Sequence, residues 1–186
     1  MRNTLLRLLA ACGLAAVLSD PSVLIVRTAA ADTGNRGNGS EIRVASPDKN
    51  VEFTLSVGEA ELSFTVARGG LAVIDPSPIT ASVDAVEITR GVVQAGGVER
   101  YQIDETYAWR GVRSRAVNRC SGARIPLVHR PSEIRYVLDV RAFNDGVAFR
   151  HVVPGEGGRV PGEATVFVVP AGSTVWYHDL EGHYEA

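Results

Sequence analysis

The densest group of chemically reactive side chains lies in the eleven residues WYHDLEGHYEA, from Trp176 to Ala186. Two imidazoles and three carboxylates stand there beside aromatic rings, and these polar residues are His178, Asp179, Glu181, His183 and Glu185. Such side chains bind metal ions or transfer protons. The histidines are five positions apart, which does not match the HExxH motif of zinc enzymes. A calcium ion takes six to eight oxygens, more than this segment supplies by itself.

A second group lies in YQIDETYAWRG, where the adjacent acids Asp104 and Glu105 precede Tyr107 and Trp109. Aromatic rings stack on the apolar face of a sugar, and carboxylates accept hydrogen bonds from its hydroxyls. Neighbouring residues of a strand point to opposite faces, however, so the two acids cannot contact one ligand. We expect them to form ion pairs with nearby arginines, namely Arg110, Arg113 or Arg115.

Two further side chains are expected to be structural. His151 shares a strand face with Val147, Phe149 and Val153, which predicts an imidazole packed at the core. Cys120 is the second of only two cysteines and is expected to be a buried thiol. If the N-terminal leader described below is removed, one cysteine remains. This count excludes an intrachain disulfide and a zinc site built from several cysteines.

Alternation of apolar and polar residues predicts the elements that hold these side chains. The pattern covers Val51–Val57, Leu62–Val66, Ile134–Val140 and Val147–Val153, and short strands are also expected near Val166–Val168 and Val175–Tyr177. Asn144-Asp145-Gly146 tolerates positive φ and predicts a hairpin turn. Segments rich in Gly, Pro, Asn and Asp separate the strands at short intervals. The sequence therefore predicts an all-β fold, an antiparallel β-sandwich.

The first 31 residues have the features of a secretory signal peptide. Arg2 and Arg7 precede an apolar run, and the small residues Ala29 and Ala31 predict cleavage before Asp32. The apolar run is shorter than the ~20 residues of a membrane-spanning helix. Lipoprotein anchoring at Cys12 is the less favoured alternative. We expect residues 32–40 to be a Gly/Asn-rich linker and residues 41–186 to form the folded domain.

The charge of the mature chain argues against two classes of partner. Cleavage after residue 31 removes three arginines and one aspartate, which leaves 16 basic and 20 acidic residues and a net charge of −4. Nucleic acids and anionic membranes select basic surfaces, so neither is expected as the main partner. The sequence also lacks a phosphate-binding loop and a Gly-x-Ser-x-Gly nucleophile motif.

Several segments, taken in order, resemble the N-terminal domain of glycoside hydrolase family 97. They are SPDKNVEFTLSV, ELSFTVARGGLAVIDPSPI, DETYAWRGVRSRAVNR, EIRYVLDVRAFNDGVAFRHVVP and VWYHDLEGHYEA. The resemblance extends from Ile42 to Glu185, and FNDGVAFR together with DETY is its most specific part.

The resemblance implies a galactose-mutarotase-like sandwich that packs on a catalytic (β/α)₈ barrel in calcium-dependent α-glucosidases and α-galactosidases. It implies that the catalytic residues belong to the barrel and that none lies in this chain. Glu185, in the Tyr184-Glu185 pair, corresponds to a calcium ligand that the sandwich contributes to a site shared with the barrel. We therefore expect a domain truncated before the barrel, incomplete at its C-terminal end, that binds calcium only weakly by itself.

Two functions of different classes follow. The first is the accessory domain of an exported family 97 enzyme that acts on an α-glucoside or α-galactoside. The alternative is a stand-alone carbohydrate-binding or interaction module that would bind sugar through Trp109 and Trp176, aided by Tyr107 and Tyr177. Mutarotase activity through His151 or His178 is a third possibility that rests on fold analogy alone.

Overall fold

The computed structural model of the protein describes residues 26–28, 40–110 and 114–176. All regular elements in that part of the chain are strands. They are β1 (Val26–Thr28), β2 (Ser40–Ala45), β3 (Val51–Val57), β4 (Leu62–Arg68), β5 (Leu71–Ile79), β6 (Ala81–Val83), β7 (Val86–Glu87), β8 (Val92–Gln94), β9 (Glu99–Ala108), β10 (Arg115–His129), β11 (Ile134–Phe143), β12 (Gly146–Val152), β13 (Pro161–Glu163) and β14 (Phe167–Val169).

One layer of the fold is a six-stranded sheet in the order β1-β14-β5-β4-β3-β2. Its centre is an antiparallel meander in which β2, β3, β4 and β5 follow one another. The tight turn between β4 and β5 consists of Gly69 and Gly70, whose φ angles are 58° and 79°. Glycine reaches this region without steric cost, and two successive positive φ angles match the twist of a hairpin.

The second layer is a five-stranded sheet in the order β12-β11-β10-β8, with β9 also paired to β10. The predicted hairpin between β11 and β12 is confirmed, since Phe143 lies opposite Gly146. Its turn is not of the expected positive-φ type, because none of Asn144, Asp145 and Gly146 is among the positive-φ residues. Asn144 Oδ1 instead accepts a hydrogen bond from the Asp48 amide at 3.2 Å, which ties this turn to the β2–β3 turn.

A small three-stranded sheet, β13-β6-β7, adjoins the two layers. At the other end of the chain, β1 pairs in parallel with β14, with Val26 opposite Phe167. β1 lies inside the predicted leader, and the signal peptide stays a prediction. Of the predicted linker only Ser40 lies in the described residues, where it begins β2.

The core fills the space between the inner faces of the two large sheets. Residues at alternate positions of β3 and β4 are buried, as are Leu138 and Val140 of β11. Phe53 and Phe64 stack at 5.6 Å between ring centroids, and Phe149 of the opposite sheet meets Phe64 edge-on at 5.3 Å. Aromatic rings in these geometries add to the hydrophobic stabilisation of the core. The predicted all-β antiparallel sandwich is confirmed.

The strand predictions succeed where one face of a strand is buried. The alternating segments correspond to β3, β4, β11 and β12, and the segment near Val166–Val168 corresponds to β14. Val175 and Trp176 are not in a strand, so that part of the prediction is wrong. Within residues 26–28, 40–110 and 114–176, no helix is long and apolar enough to cross a membrane.

Candidate functional site

The reactive C-terminal segment lies almost entirely outside the described residues. The description ends at Trp176, whose side chain is 92% exposed. Glu185 lies beyond it, together with His178, Asp179, Glu181 and His183, so the calcium ligand stays a prediction. In the part of the chain that is described, no three His, Cys, Asp or Glu side chains cluster closely enough to hold a metal ion.

Trp109 lies at the tip of a long hairpin formed by β9 and β10. The pairing of β10 with β11 ends at Cys120 and Phe143, whereas the pairing of β10 with β9 continues to Arg115 and Ala108. Five residue pairs therefore extend beyond the sheet, a projection of about 15 Å at ~3.3 Å per residue. The Trp109 amide donates a hydrogen bond to the Ser114 carbonyl at 3.0 Å. This bond continues the cross-strand pairing one residue beyond Ala108 and Arg115.

Two aromatic rings are exposed on one side of this hairpin. Tyr107 is 47% and Trp109 is 61% exposed, and their ring centroids are 6.2 Å apart with planes at 77°. Trp109 and Trp176 were both predicted as sugar-binding residues. Two surface grooves of about 490 Å³ among the described residues are lined by other side chains, one beside Tyr101 and Gly122 and the other beside Arg130 and Arg135.

Asp104 and Glu105 of the DETY segment are neighbours on β9 and therefore point to opposite faces of the strand. Asp104 forms an ion pair with Arg119 at 3.0 Å, and Glu105 Oε2 accepts a hydrogen bond from Asn118 Nδ2 at 3.2 Å. The antiparallel register places these partners directly opposite the acids. Asp104 thus has an arginine as its counterion, as expected, but that arginine is Arg119 and not Arg110 or Arg115, and Glu105 bonds to an amide instead of an arginine. Arg113 lies outside the described residues.

The main polar feature that sequence reasoning missed is a network on the outer face of the five-stranded sheet. Its centre is Asp139, whose side chain is 2% exposed. Asp139 Oδ1 accepts a hydrogen bond from the Tyr101 hydroxyl at 2.6 Å, and Oδ2 accepts two from Arg150 at 3.0 and 3.1 Å. Arg141 Nε donates to the Tyr101 oxygen at 3.2 Å. Both oxygens of Asp139 are thus engaged, which gives this carboxylate a structural role.

The cross-strand register creates this network. Glu99, Arg124, Asp139 and Arg150 lie opposite one another on four adjacent strands, so acids and arginines alternate across the sheet. Arg124 pairs with Glu99 at 2.9 Å, and its guanidinium lies 5.1 Å from the centre of the Tyr101 ring. Burial and the hydrogen bond to Asp139 raise the pKa of Tyr101, which keeps its hydroxyl a donor.

One signal for the network was present in the sequence. A two-residue turn at Asn144-Asp145 places Phe143 opposite Gly146, and the same register places Asp139 opposite Arg150. The partner Tyr101 could not be inferred in this way, because it depends on the separate pairing of β9 with β10.

His151 packs at the core as predicted. Its ring lies 5.8 Å from Tyr136 and 6.3 Å from Phe149, and neither ring nitrogen has a hydrogen-bond partner among the described residues. Burial lowers the pKa of His151, and the charge of Glu163 opposes this to a lesser extent. Cys120 is a buried free thiol whose pKa is raised by burial, which agrees with the structural role expected for it.

A known protein family matches most of the chain. The sequence pattern described as "Glycosyl-hydrolase 97 N-terminal" matches residues 44–186. A probable retaining α-galactosidase of Streptomyces bingchenggensis is 32% identical over 178 residues, which are 95% of this chain and 26% of that protein. A retaining α-galactosidase of Bacteroides thetaiotaomicron is 26% identical over 136 residues, 72% of this chain and 20% of that protein.

Solved structures share the fold. A glycoside hydrolase family 97 enzyme from a Pseudoalteromonas species, in complex with acarbose, superposes with a TM-score of 0.61 at 21% identity, covering 69% of this chain and 20% of that one. A β-arabinopyranosidase superposes with a TM-score of 0.59 at 21% identity, covering 66% of this chain and 20% of that one. The chain thus spans about a quarter or less of the length of these relatives.

Proposed function

The chain belongs to the glycosyl-hydrolase 97 N-terminal family, and on that premise we propose that it is the non-catalytic N-terminal domain of an exported α-glycoside hydrolase. The observation that carries the proposal is the match over residues 44–186, together with an antiparallel sandwich that superposes on family 97 enzymes. In this role the sandwich supports a catalytic domain that lies in the remaining three quarters of the longer relatives.

A supporting role agrees with how the carboxylates of the described residues are used. Glycoside hydrolysis requires two carboxyl groups, about 5 to 9.5 Å apart, on either side of the bond that is cleaved. Asp139 is enclosed by Tyr101 and Arg150, and Asp104 is paired with Arg119. These acids stabilise the sheet, so the chemistry is assigned to the catalytic domain.

The substrate of the whole enzyme is proposed to be an α-glycoside. The Streptomyces and Bacteroides relatives are both named as retaining α-galactosidases, and the Pseudoalteromonas enzyme is in complex with acarbose. Both α-galactosides and α-glucosides therefore remain candidate substrates.

Glu185 is proposed as the contribution of this chain to a calcium site. A carboxylate is the oxygen donor that calcium prefers, and one residue supplies at most two of the six to eight oxygens required. We assign the other ligands to the catalytic domain, as the resemblance to family 97 implies. Export through the leader of residues 1–31, to the periplasm or the medium, is part of the same proposal.

A second candidate function is a carbohydrate-binding module, which the exposure of Tyr107 and Trp109 favours. Titration calorimetry of the purified chain with melibiose and maltose separates the two candidates. An accessory domain is expected to give no heat of binding to either sugar. Micromolar binding that is lost on Trp109→Ala and kept on Asp104→Asn would overturn the accessory role in favour of the module.

A further inference from the structure

A groove of about 490 Å³ lies on the outer face of the five-stranded sheet, where β8, β10 and β11 run side by side. The register places Val93, Val128 and Arg135 directly opposite one another on these three strands. Val128 lies between the buried residues Leu127 and His129, so its side chain points away from the core and lines the groove. The volume is within the range of small-molecule sites, about 300 to 1,000 Å³.

The charged groups of this groove are Arg130, Arg135 and Glu133, and all three are exposed. None of them forms an ion pair with another residue in the part of the chain that the structure describes. On the same face of the sheet, by contrast, the arginines of the polar network are paired with acids. The groove therefore holds two uncompensated guanidinium groups, on a chain whose formal net charge is −2. An anion that bridges them relieves the repulsion between these like charges.

The turn that carries Arg130 and Glu133 has a defined conformation. Ser132 Oγ lies 2.6 Å from Nδ1 of the buried His129. The Arg130 amide donates a hydrogen bond to the Gly91 carbonyl at 3.0 Å, which ties the turn to the chain ahead of β8. Glu133 has a φ of 56°, a conformation that a residue other than glycine keeps only where its surroundings hold it. A ligand that binds here therefore does not have to order the turn.

These groups together select one class of ligand. A neutral sugar would donate hydrogen bonds from its hydroxyls to Glu133 but would leave both guanidinium groups without an anion. An inorganic anion would bind the guanidinium groups but would be repelled by the Glu133 carboxylate. A sugar acid has both parts, since its carboxylate accepts bidentate hydrogen bonds from arginine and its hydroxyls donate to Glu133. The apolar face of its ring is then placed on Val93 and Val128.

We propose that this groove binds a carboxylate-bearing sugar, a hexuronic acid unit, through Arg130, Arg135 and Glu133. The two guanidinium groups bind the carboxylate of the ligand, and Glu133 accepts hydrogen bonds from the ring hydroxyls. This site does not depend on the proposed function, and its absence would leave the role of the chain as a domain of a longer enzyme unchanged.

Titration calorimetry of the purified chain with the methyl glycosides of galacturonic and glucuronic acid tests this site. The uronosides are expected to bind with a millimolar or tighter Kd, and the neutral methyl galactoside, which lacks the carboxylate, is not. Arg130→Gln and Arg135→Gln are each expected to weaken uronoside binding at least about tenfold, since each removes a charge-assisted pair. Arg68→Gln is the matched control, because Arg68 is an exposed arginine at the end of β4 in the other large sheet.

Glu133→Gln separates a site for a sugar acid from a site for any anion, with inorganic phosphate as the comparison ligand. The substitution removes a charged acceptor, so it is expected to weaken uronoside binding and to strengthen phosphate binding. Phosphate binding as tight as that of the uronosides, or uronoside binding that Glu133→Gln leaves unchanged or strengthens, would overturn the sugar ligand.

Two other results would overturn the site itself. One is the absence of millimolar binding of either uronoside to the unmodified chain. The other is uronoside binding that Arg68→Gln weakens as much as Arg130→Gln and Arg135→Gln do. Circular dichroism checks that the variants keep the sandwich, as expected for substitutions of exposed side chains.

Discussion

Asp139 lies on the face of β11 that points away from the core, yet its side chain is almost completely screened from water. The Tyr101 ring covers it from β9, and the bidentate Arg150 covers it from β12. Tyr101 reaches this position because residue 122 of the intervening strand is a glycine, where a Cβ would overlap the ring. One carboxylate therefore links three strands on the outer surface of the sheet.

Asp139→Asn is expected to lower the free energy of unfolding by about 2 kcal/mol, since it removes charge-assisted hydrogen bonds from a screened site. The loss is smaller than for a fully buried pair, because Arg150 is 66% exposed and regains water. The matched control is Asp104→Asn in the exposed pair with Arg119, where the change is expected to stay within about 0.5 kcal/mol. Equal effects of the two substitutions in urea denaturation would contradict the structural role of Asp139.

His151 makes the stability of the fold depend on pH in a defined direction. Because burial lowers its pKa in the folded state, the unfolded chain binds more protons once the pH falls below about 6.5. Its contribution is unchanged above that pH and is lost as the pH falls towards the lowered folded-state pKa. The slope is at most about 1.4 kcal/mol per pH unit for one proton.

We expect His151→Phe to flatten the fall in stability between pH 7.5 and 5. The phenyl ring suits the apolar site beside Tyr136 and Phe149 and cannot be protonated. Urea denaturation at several pH values measures this difference. Parallel pH profiles of the unmodified protein and the variant would show that His151 does not couple protonation to unfolding.

At the scale of the element, the β9–β10 hairpin combines a packed base with an exposed tip. The base is fixed where Tyr101 lies over Gly122, and the tip presents Tyr107 and Trp109. A ring over a glycine on the neighbouring strand covers the exposed backbone and fixes the pairing of the two strands. The pairing of β9 with β10 continues in the same register from Tyr101 and Gly122 to Ala108 and Arg115, so the contact of Tyr101 with Gly122 also determines which residues lie opposite each other in the projecting part.

Gly122→Ala is expected to displace the Tyr101 ring and to lower the free energy of unfolding by about 1 to 3 kcal/mol, as overpacking does. Gly97→Ala is the control, because a Cβ at position 97 meets no atom within 4 Å. In a double-mutant cycle, adding Tyr101→Ala should recover part of the loss, since the clash then disappears. Strict additivity of the two substitutions would contradict this packing.

Burial decides which elements the sequence could predict. β3, β4, β11 and β12 each present apolar residues to the core at every second position, and all four were predicted. The projecting part of β9 and β10 has no buried face, so Asp104, Glu105 and Thr106 carry no alternating pattern. Of the polar network, the Asp139–Arg150 pair follows from the hairpin register, whereas the Tyr101 contact requires the three-dimensional pairing of a more distant strand.

At the scale of the whole molecule, the chain is a β-sandwich that matches about a quarter of much longer proteins. Trp109 is exposed on the projecting part of the β9–β10 hairpin, and Trp176 is exposed at the end of the described residues. The family match and the quarter-length coverage of the relatives support the proposed role as one domain of a longer enzyme.

The most direct test of this account replaces the matched quarter of the Streptomyces relative with residues 40–186 of this chain. Hydrolysis of 4-nitrophenyl α-galactoside is measured for the chimera and for the relative lacking that quarter. Because the domain is proposed to support catalysis without supplying catalytic residues, the chimera should be active and the shortened relative inactive. A soluble, folded chimera with no more activity than the shortened relative would contradict the assignment of this chain as an accessory domain of a family 97 enzyme.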